Sequence, residues 1–268
     1  MGASASTPQQ HFLDSVVPRI AGDPRVAGVA VAGSLATGAG DEFSDVDLVV
    51  AVHHADYDEV MADRLALIAS WAPLVIGFTG EHVGEPRVII ALVGPPLLHV
   101  DVKFVRLSDF GERIADPRLV HDPRGLLAGE LAAHPLDPAP FDVQWIEDRF
   151  WVWVHYAATK LGRGELYEVL DLLAFVRGTV LGPLAALRAG VEPRGVRRLE
   201  QDAPLEAAEL RTTVCRYDPD EAVAALRASI ALYRRWIGDH AVARRALAEE
   251  LAVQYLDEVA TRAPAALR

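Results

Sequence analysis

The chain has 268 residues, 51% hydrophobic and 24% charged, with 26 Lys and Arg against 38 Asp and Glu for a formal net charge of −12. That is a globular balance, enough for one large domain or two ordinary ones. The acidity and the lack of any basic run exclude a large nucleic-acid partner, whose phosphates are held mainly by Lys and Arg.

No apolar run reaches the roughly 18 residues of a membrane span, and the opening residues Met1 to Pro8 lack the charged and apolar regions of a signal peptide. A cytoplasmic protein with no membrane partner is therefore expected. The single cysteine, Cys215, cannot form an internal disulfide and has no metal-ligand spacing around it.

In chain order, a helix is expected over 9–20, a strand over 26–32, a second strand over 46–52, and an amphipathic helix over 57–71, stopped before Pro73. Further strands are expected over 74–78, 87–93 and 97–105, with Gly94-Pro95-Pro96 turning between the last two. These make an α/β unit with a mixed sheet. Residues 108–140 are rich in Asp, Pro and Gly and suit a boundary, so the expected division is 1–139 and 140–268. Beyond it, helices are expected over 141–161, 165–188, 205–211, 219–236 and 239–262. Asp218-Pro219-Asp220-Glu221 reads as a helix start, with Asp218 as the cap and Pro219 in the first position. The expected fold is α+β, a mixed-sheet α/β domain followed by an all-α helical bundle.

The chemistry concentrates between the first two strands. Gly33-Ser34 follows the first, and Ser44-Asp45-Val46-Asp47-Leu48 opens the second. A Gly-Ser turn offers backbone N–H groups and a hydroxyl without bulk, which suits close approach of terminal phosphates. Side chains alternate on a strand, so Asp45 and Asp47 share one face while Val46, Leu48 and Val50 share the other. Two adjacent carboxylates repel and are most easily sustained by a divalent cation, magnesium first. The later stretch from Leu98 to Phe104 also alternates and presents Asp101 with His99 and Lys103. If that strand lies beside the one carrying Asp47, three carboxylates converge, enough for two metal ions about 3.5 to 4 Å apart. No histidine is assigned a catalytic role.

In the helical half, Arg149, Trp153, Tyr156 and Lys160 line one face of the first helix, and a cationic Lys160 could neutralise a triphosphate. Glu168 and Asp171, spaced i, i+3, share a face and could orient an acceptor hydroxyl or bind its cationic groups.

Gly33-Ser34, Ser44-Asp45-Val46-Asp47-Leu48 and Asp101 resemble the signature of the polymerase β-like nucleotidyltransferase superfamily. The resemblance implies that Asp45 and Asp47 hold magnesium bound to a nucleoside triphosphate, that Asp101 completes the metal site and serves the acceptor, and that Gly33 and Ser34 contact the triphosphate. Residues 150–154, 160–166, Leu170-Asp171 and Leu184 resemble the helical domain of the streptomycin (aminoglycoside) 6-adenylyltransferases. Where superfamily members often carry basic residues after the Gly-Ser turn, this chain has Leu35, Ala36 and Thr37.

The expected activity is transfer of AMP from ATP to a hydroxyl of a small cationic acceptor, an aminoglycoside by resemblance, with a role in antibiotic resistance. The catalytic residues are expected to be Asp101, Glu168 and Asp171, with Gly33, Ser34 and Lys160 on the nucleotide and Mg2+ on Asp45, Asp47 and Asp101. The rivals are a protein-modifying AMP transferase of the antitoxin-like kind and a catalytically silent nucleotide-binding module. Oligomeric state is open.

Overall fold

The runs after the first helix are buried and rich in β-branched Val, which favours strands at the centre of a sheet over helices. The computed structural model describes residues 7–137 and 140–262, and the chain divides into two units, Met1–Pro138 and Ala139–Arg268.

The first unit runs α1 (Pro8–Ala21), β1 (Val26–Val31), α2 (Gly33–Thr37), β2 (Val46–Val52), α3 (Tyr57–Trp71), β3 (Leu74–Gly80), β4 (Glu85–Val93), β5 (Leu98–Arg106), β6 (Arg118–His121) and α4 (Leu126–Ala133). Its six strands lie in the order β3-β4-β5-β2-β1-β6. β2 and β5 pair in parallel, and the other neighbours pair antiparallel. The sheet is mixed, as the sequence indicates.

One face carries Val29, Val31, Val46, Leu48, Val50, Ile89, Ala91, Val100, Val102 and Phe104 in a single core with residues of α1 and α3. The other face is covered where Ala27, Ala30, Ala51 and Val105 meet Leu127 of α4. Gly28 permits that contact, because a Cβ there would meet Leu127 Cδ1 at 2.5 Å.

Residues 108–137 hold more regular structure than their Pro and Asp content suggests. β6 completes the sheet by pairing with β1, and Asp122 accepts from the backbone N–H of Leu127 and Ala128 at 3.2 and 3.0 Å, tying down the start of α4.

The second unit is helical: α5 (Val143–Gly162), α6 (Leu166–Val176), a π-helical turn over Arg177–Leu181, α7 (Gly182–Arg188), α8 (Leu199–Asp202), α9 (Pro204–Leu210), α10 (Pro219–Ile237) and α11 (Ala246–Arg262). Asp218 caps α10 as expected, accepting from Glu221 N–H at 2.9 Å. The run Leu166–Arg188 is long and apolar enough by length and composition to cross a membrane, but Val169, Leu173, Val176, Val180, Leu181 and Leu184 lie in the core of this unit.

The helix expected from residue 239 begins instead at Ala246. The preceding loop is held by α5: Gln144 bonds both backbone groups of Ala243, and Glu147 accepts from Arg245 N–H at 2.7 Å. Glu147 is fully buried and also takes Tyr233 Oη at 2.5 Å, Trp151 Nε1 at 3.3 Å and Arg244 Nε at 3.2 Å. Burial, with the Glu147 carboxylate beside it, pushes the Tyr233 phenol well above its ordinary range.

Candidate functional site

In the first unit the expected residues gather around β2. Asp47 is the second residue of the strand and Asp45 the residue before it. Parallel pairing sets Asp47 in register with Asp101 of β5, and residues in register share a face. On the other side of β2, Ala32 N–H donates to Asp47 O at 2.9 Å. Gly33 follows with φ +63°, and a Cβ there would meet Asp47 Oδ2 at 2.0 Å. Glycine is thus required twice at this position, by its left-handed backbone and by the carboxylate lying against it.

α2 begins at this glycine. Its N-cap, Ala32, provides no side-chain acceptor, and its C-cap, Gly38, is left-handed and donates to Ser34 O. The Ser34 hydroxyl donates to Ser44 Oγ at 3.1 Å. Ser44 in turn bonds Asp41 through its hydroxyl at 3.1 Å and through the Asp41 N–H at 2.9 Å.

The loop that delivers Asp45 is further held by Gln9, a buried residue on α1 whose Nε2 donates to the carbonyls of Asp41, Glu42 and Ser44 at 3.4, 3.1 and 3.0 Å. Sequence reasoning missed this positioning role. The available signal was a polar side chain in line with the apolar stripe of Leu13, Val16 and Ile20.

Asp101 is paired with His99 Nε2 at 2.9 Å, so a histidine set aside on sequence grounds touches a candidate catalytic carboxylate. Lys103, also on that face of β5, is bound to Glu85 at 2.9 Å. Arg87 and then Lys103 hold the Glu85 carboxyl down at about 2.

Among the described residues no three His, Cys, Asp or Glu side chains are grouped to hold a metal ion. The donors present nevertheless fit a hard divalent cation in kind, being carboxylate oxygens. The missing Cβ of Gly33 makes room for the Asp47 carboxylate itself, whose Oδ2 lies against the glycine.

The remaining candidates belong to the second unit. Lys160, at the end of α5, contacts Glu165 at 2.5 Å and Glu168 at 3.7 Å, and its ammonium lies 5.1 Å from the Tyr156 ring centroid. The Glu165 carboxylate chiefly raises the Lys160 pKa. Glu168 also accepts from Tyr156 Oη at 3.0 Å. Its charge is therefore locally shared, whereas Asp171 is exposed on α6.

Residues 16–90 match the family model described as a nucleotidyltransferase domain. The resemblance to the nucleotidyltransferases holds. The matched segment is that of an enzyme domain that transfers nucleotides. The matched segment includes Gly33, Ser34, Asp45 and Asp47 and stops short of Asp101. No curated protein is a significant match in sequence. Among solved structures the chain is similar to an aminoglycoside 6-adenyltransferase from Bacillus subtilis, at 15% identity and a TM-score of 0.41, over 95% of this chain and 98% of that one.

Proposed function

We propose that this nucleotidyltransferase moves AMP from ATP to a hydroxyl of a small cationic acceptor of the aminoglycoside kind. The observation that carries the reading is the register of Asp47 with Asp101 beside Gly33, in a chain whose residues 16–90 match a nucleotidyltransferase domain. Magnesium would be held by Asp45, Asp47 and Asp101, and when bound it supplies positive charge against the phosphates.

The chain's own residues do the rest. The backbone at Gly33 and the Ser34 hydroxyl receive the triphosphate, while Lys160 is held within the second unit by Glu165 and Glu168. Asp101 orients the acceptor hydroxyl and takes its proton. The hydroxyl oxygen bonds to the α-phosphorus as the bond to pyrophosphate breaks, and alignment of the two supplies much of the rate. The aminoglycoside assignment rests on the likeness of residues 150–184 to the helical domain of the 6-adenylyltransferases.

The test is incubation with ATP labelled at the α-phosphate, magnesium and a panel of aminoglycosides. Labelled product is expected from the wild-type chain, and at least about a hundredfold less from Asp47→Asn or Asp101→Asn. Undiminished transfer by both variants defeats the site; product with no aminoglycoside defeats only the acceptor.

A further inference from the structure

The face of the sheet that presents Asp47 and Asp101 continues past them as an apolar shelf. In register, Asp101 neighbours Ile90 of β4, and Ile90 neighbours Phe78 of β3. The adjoining row runs from His99 through Leu92 to Ile76. Four side chains, Ile76, Phe78, Ile90 and Leu92, therefore lie on one surface immediately beside the candidate catalytic carboxylate.

None of them carries charge, and two are well exposed, Ile76 at 56% and Phe78 at 49%. The opposite face of the same strands is filled, for Gly77 packs toward Leu65 and Ile89, and Ile89 and Ala91 are core residues. An exposed apolar surface is ordinarily a binding surface when it is contiguous. This one is contiguous with the reacting carboxylate, on the side of it away from the Gly33 turn.

We infer that the shelf of Ile76, Phe78, Ile90 and Leu92 holds an alkyl or aromatic substituent of the acceptor, which narrows the cationic, hydroxyl-bearing acceptor proposed above from an unsubstituted aminoglycoside to an amphiphile, with its hydroxyl at Asp101 and an apolar portion on β3 and β4. The occupant is fixed by position. A group seated on Ile90 is one strand from Asp101, the distance between neighbouring strands being about 4.8 Å, so it is covalently within reach of the hydroxyl that Asp101 serves. The inference rests on the nucleotidyl-transfer reading for its link to catalysis, although not for the binding itself.

The probe is octyl glucoside below its micelle concentration, with glucose as the control lacking the alkyl chain, titrated by calorimetry into the full chain. Wild-type protein is expected to bind octyl glucoside and to ignore glucose. Ile76→Ser combined with Phe78→Ser should bind it roughly 30-fold more weakly, as loss of two half-buried apolar contacts implies, and Phe78→Leu should restore most of the affinity. Both replaced residues are half-exposed, and melting of each variant checks that the fold persists.

No binding by wild type, or equal binding by wild type and the double variant, overturns the shelf. A wild-type dimer that the double variant dissolves, read by sedimentation, also overturns it by making the surface an interface between copies. Failure of AMP transfer together with shelf-dependent octyl glucoside binding defeats the transfer reading and sustains the apolar site. Transfer to acceptors without apolar groups, at rates the double variant leaves unchanged, does the reverse.

Discussion

Replacing Gly33 with alanine should damage the site through one atom. The new Cβ falls 2.0 Å from Asp47 Oδ2 on a backbone held at φ +63°. The left-handed conformation costs a non-glycine residue about 1 to 2 kcal/mol, and forcing the carboxylate aside adds about 1 to 3 kcal/mol, as overpacking does. Gly38 separates the two effects, since it is also left-handed at φ +76° but a Cβ there meets nothing within 4 Å. Gly38→Ala should lose only the first contribution. At about 3 °C per kcal/mol, the first unit should melt about 6 to 15 °C lower in Gly33→Ala and about 3 to 6 °C lower in Gly38→Ala, by scanning calorimetry. A double-mutant cycle with Asp47→Ala should return a coupling of about 1 to 3 kcal/mol. Equal melting losses for the two alanine variants, with no coupling to Asp47, would refute the claim that the carboxylate is seated against Gly33. Transfer should fall about a hundredfold in Gly33→Ala, since displacing a reacting group by an ångström costs that much.

Gln9→Leu frees three loop carbonyls from their buried donor; it should destabilise the first unit by about 1 to 3 kcal/mol in urea unfolding and speed amide exchange between Asp41 and Ser44. Glu147→Ala strips the partner from Tyr233, Arg244 and the Arg245 N–H, and the second unit should lose about 3 to 5 kcal/mol by denaturant titration, whereas Tyr233→Phe should lose less. The Glu85 carboxyl lies at about 2 in the fold against 4.5 ordinarily, so its contribution to stability is complete above 4.5 and is lost as pH falls toward 2. The difference in stability between wild type and Glu85→Gln should shrink across that window, and a difference that grows on acidification would reverse the assignment.

How far the sequence was legible depends on whether its signals were local. The alternation from Leu98 to Phe104 and the buried run after Asp45 are properties of consecutive residues, and β5 and β2 appear where those patterns lie. β6 is four residues long and owes its existence to pairing with β1 from far along the chain, so no local period announces it. The start of α11 is likewise not local, because residues 239–245 are rich in helix formers yet are held out of the helix by Gln144 and Glu147 from α5. Asp45, Asp47 and Asp101 were visible as residue types and faces. Their fixing was legible only in part: the His99 contact to Asp101 follows from i, i+2 spacing on one strand, whereas the Gln9 clamp and the fit of Asp47 against Gly33 are tertiary. Lys160 is cationic in sequence, and its pairing with Glu165 depends on the bend between α5 and α6.

The parallel register of β2 with β5 also governs when the site can come into being. No tight turn can close a parallel pair, and here α3, β3 and β4 intervene between the two strands. Loop-closure entropy delays such pairings relative to local contacts. Asp47 and Asp101 are therefore expected to meet after the local contacts have formed. A nascent chain released before residue 101 carries the whole matched nucleotidyltransferase segment but lacks Asp101. Transfer activity should consequently lag behind the recovery of helix signal during refolding, and its appearance would time the docking of β5.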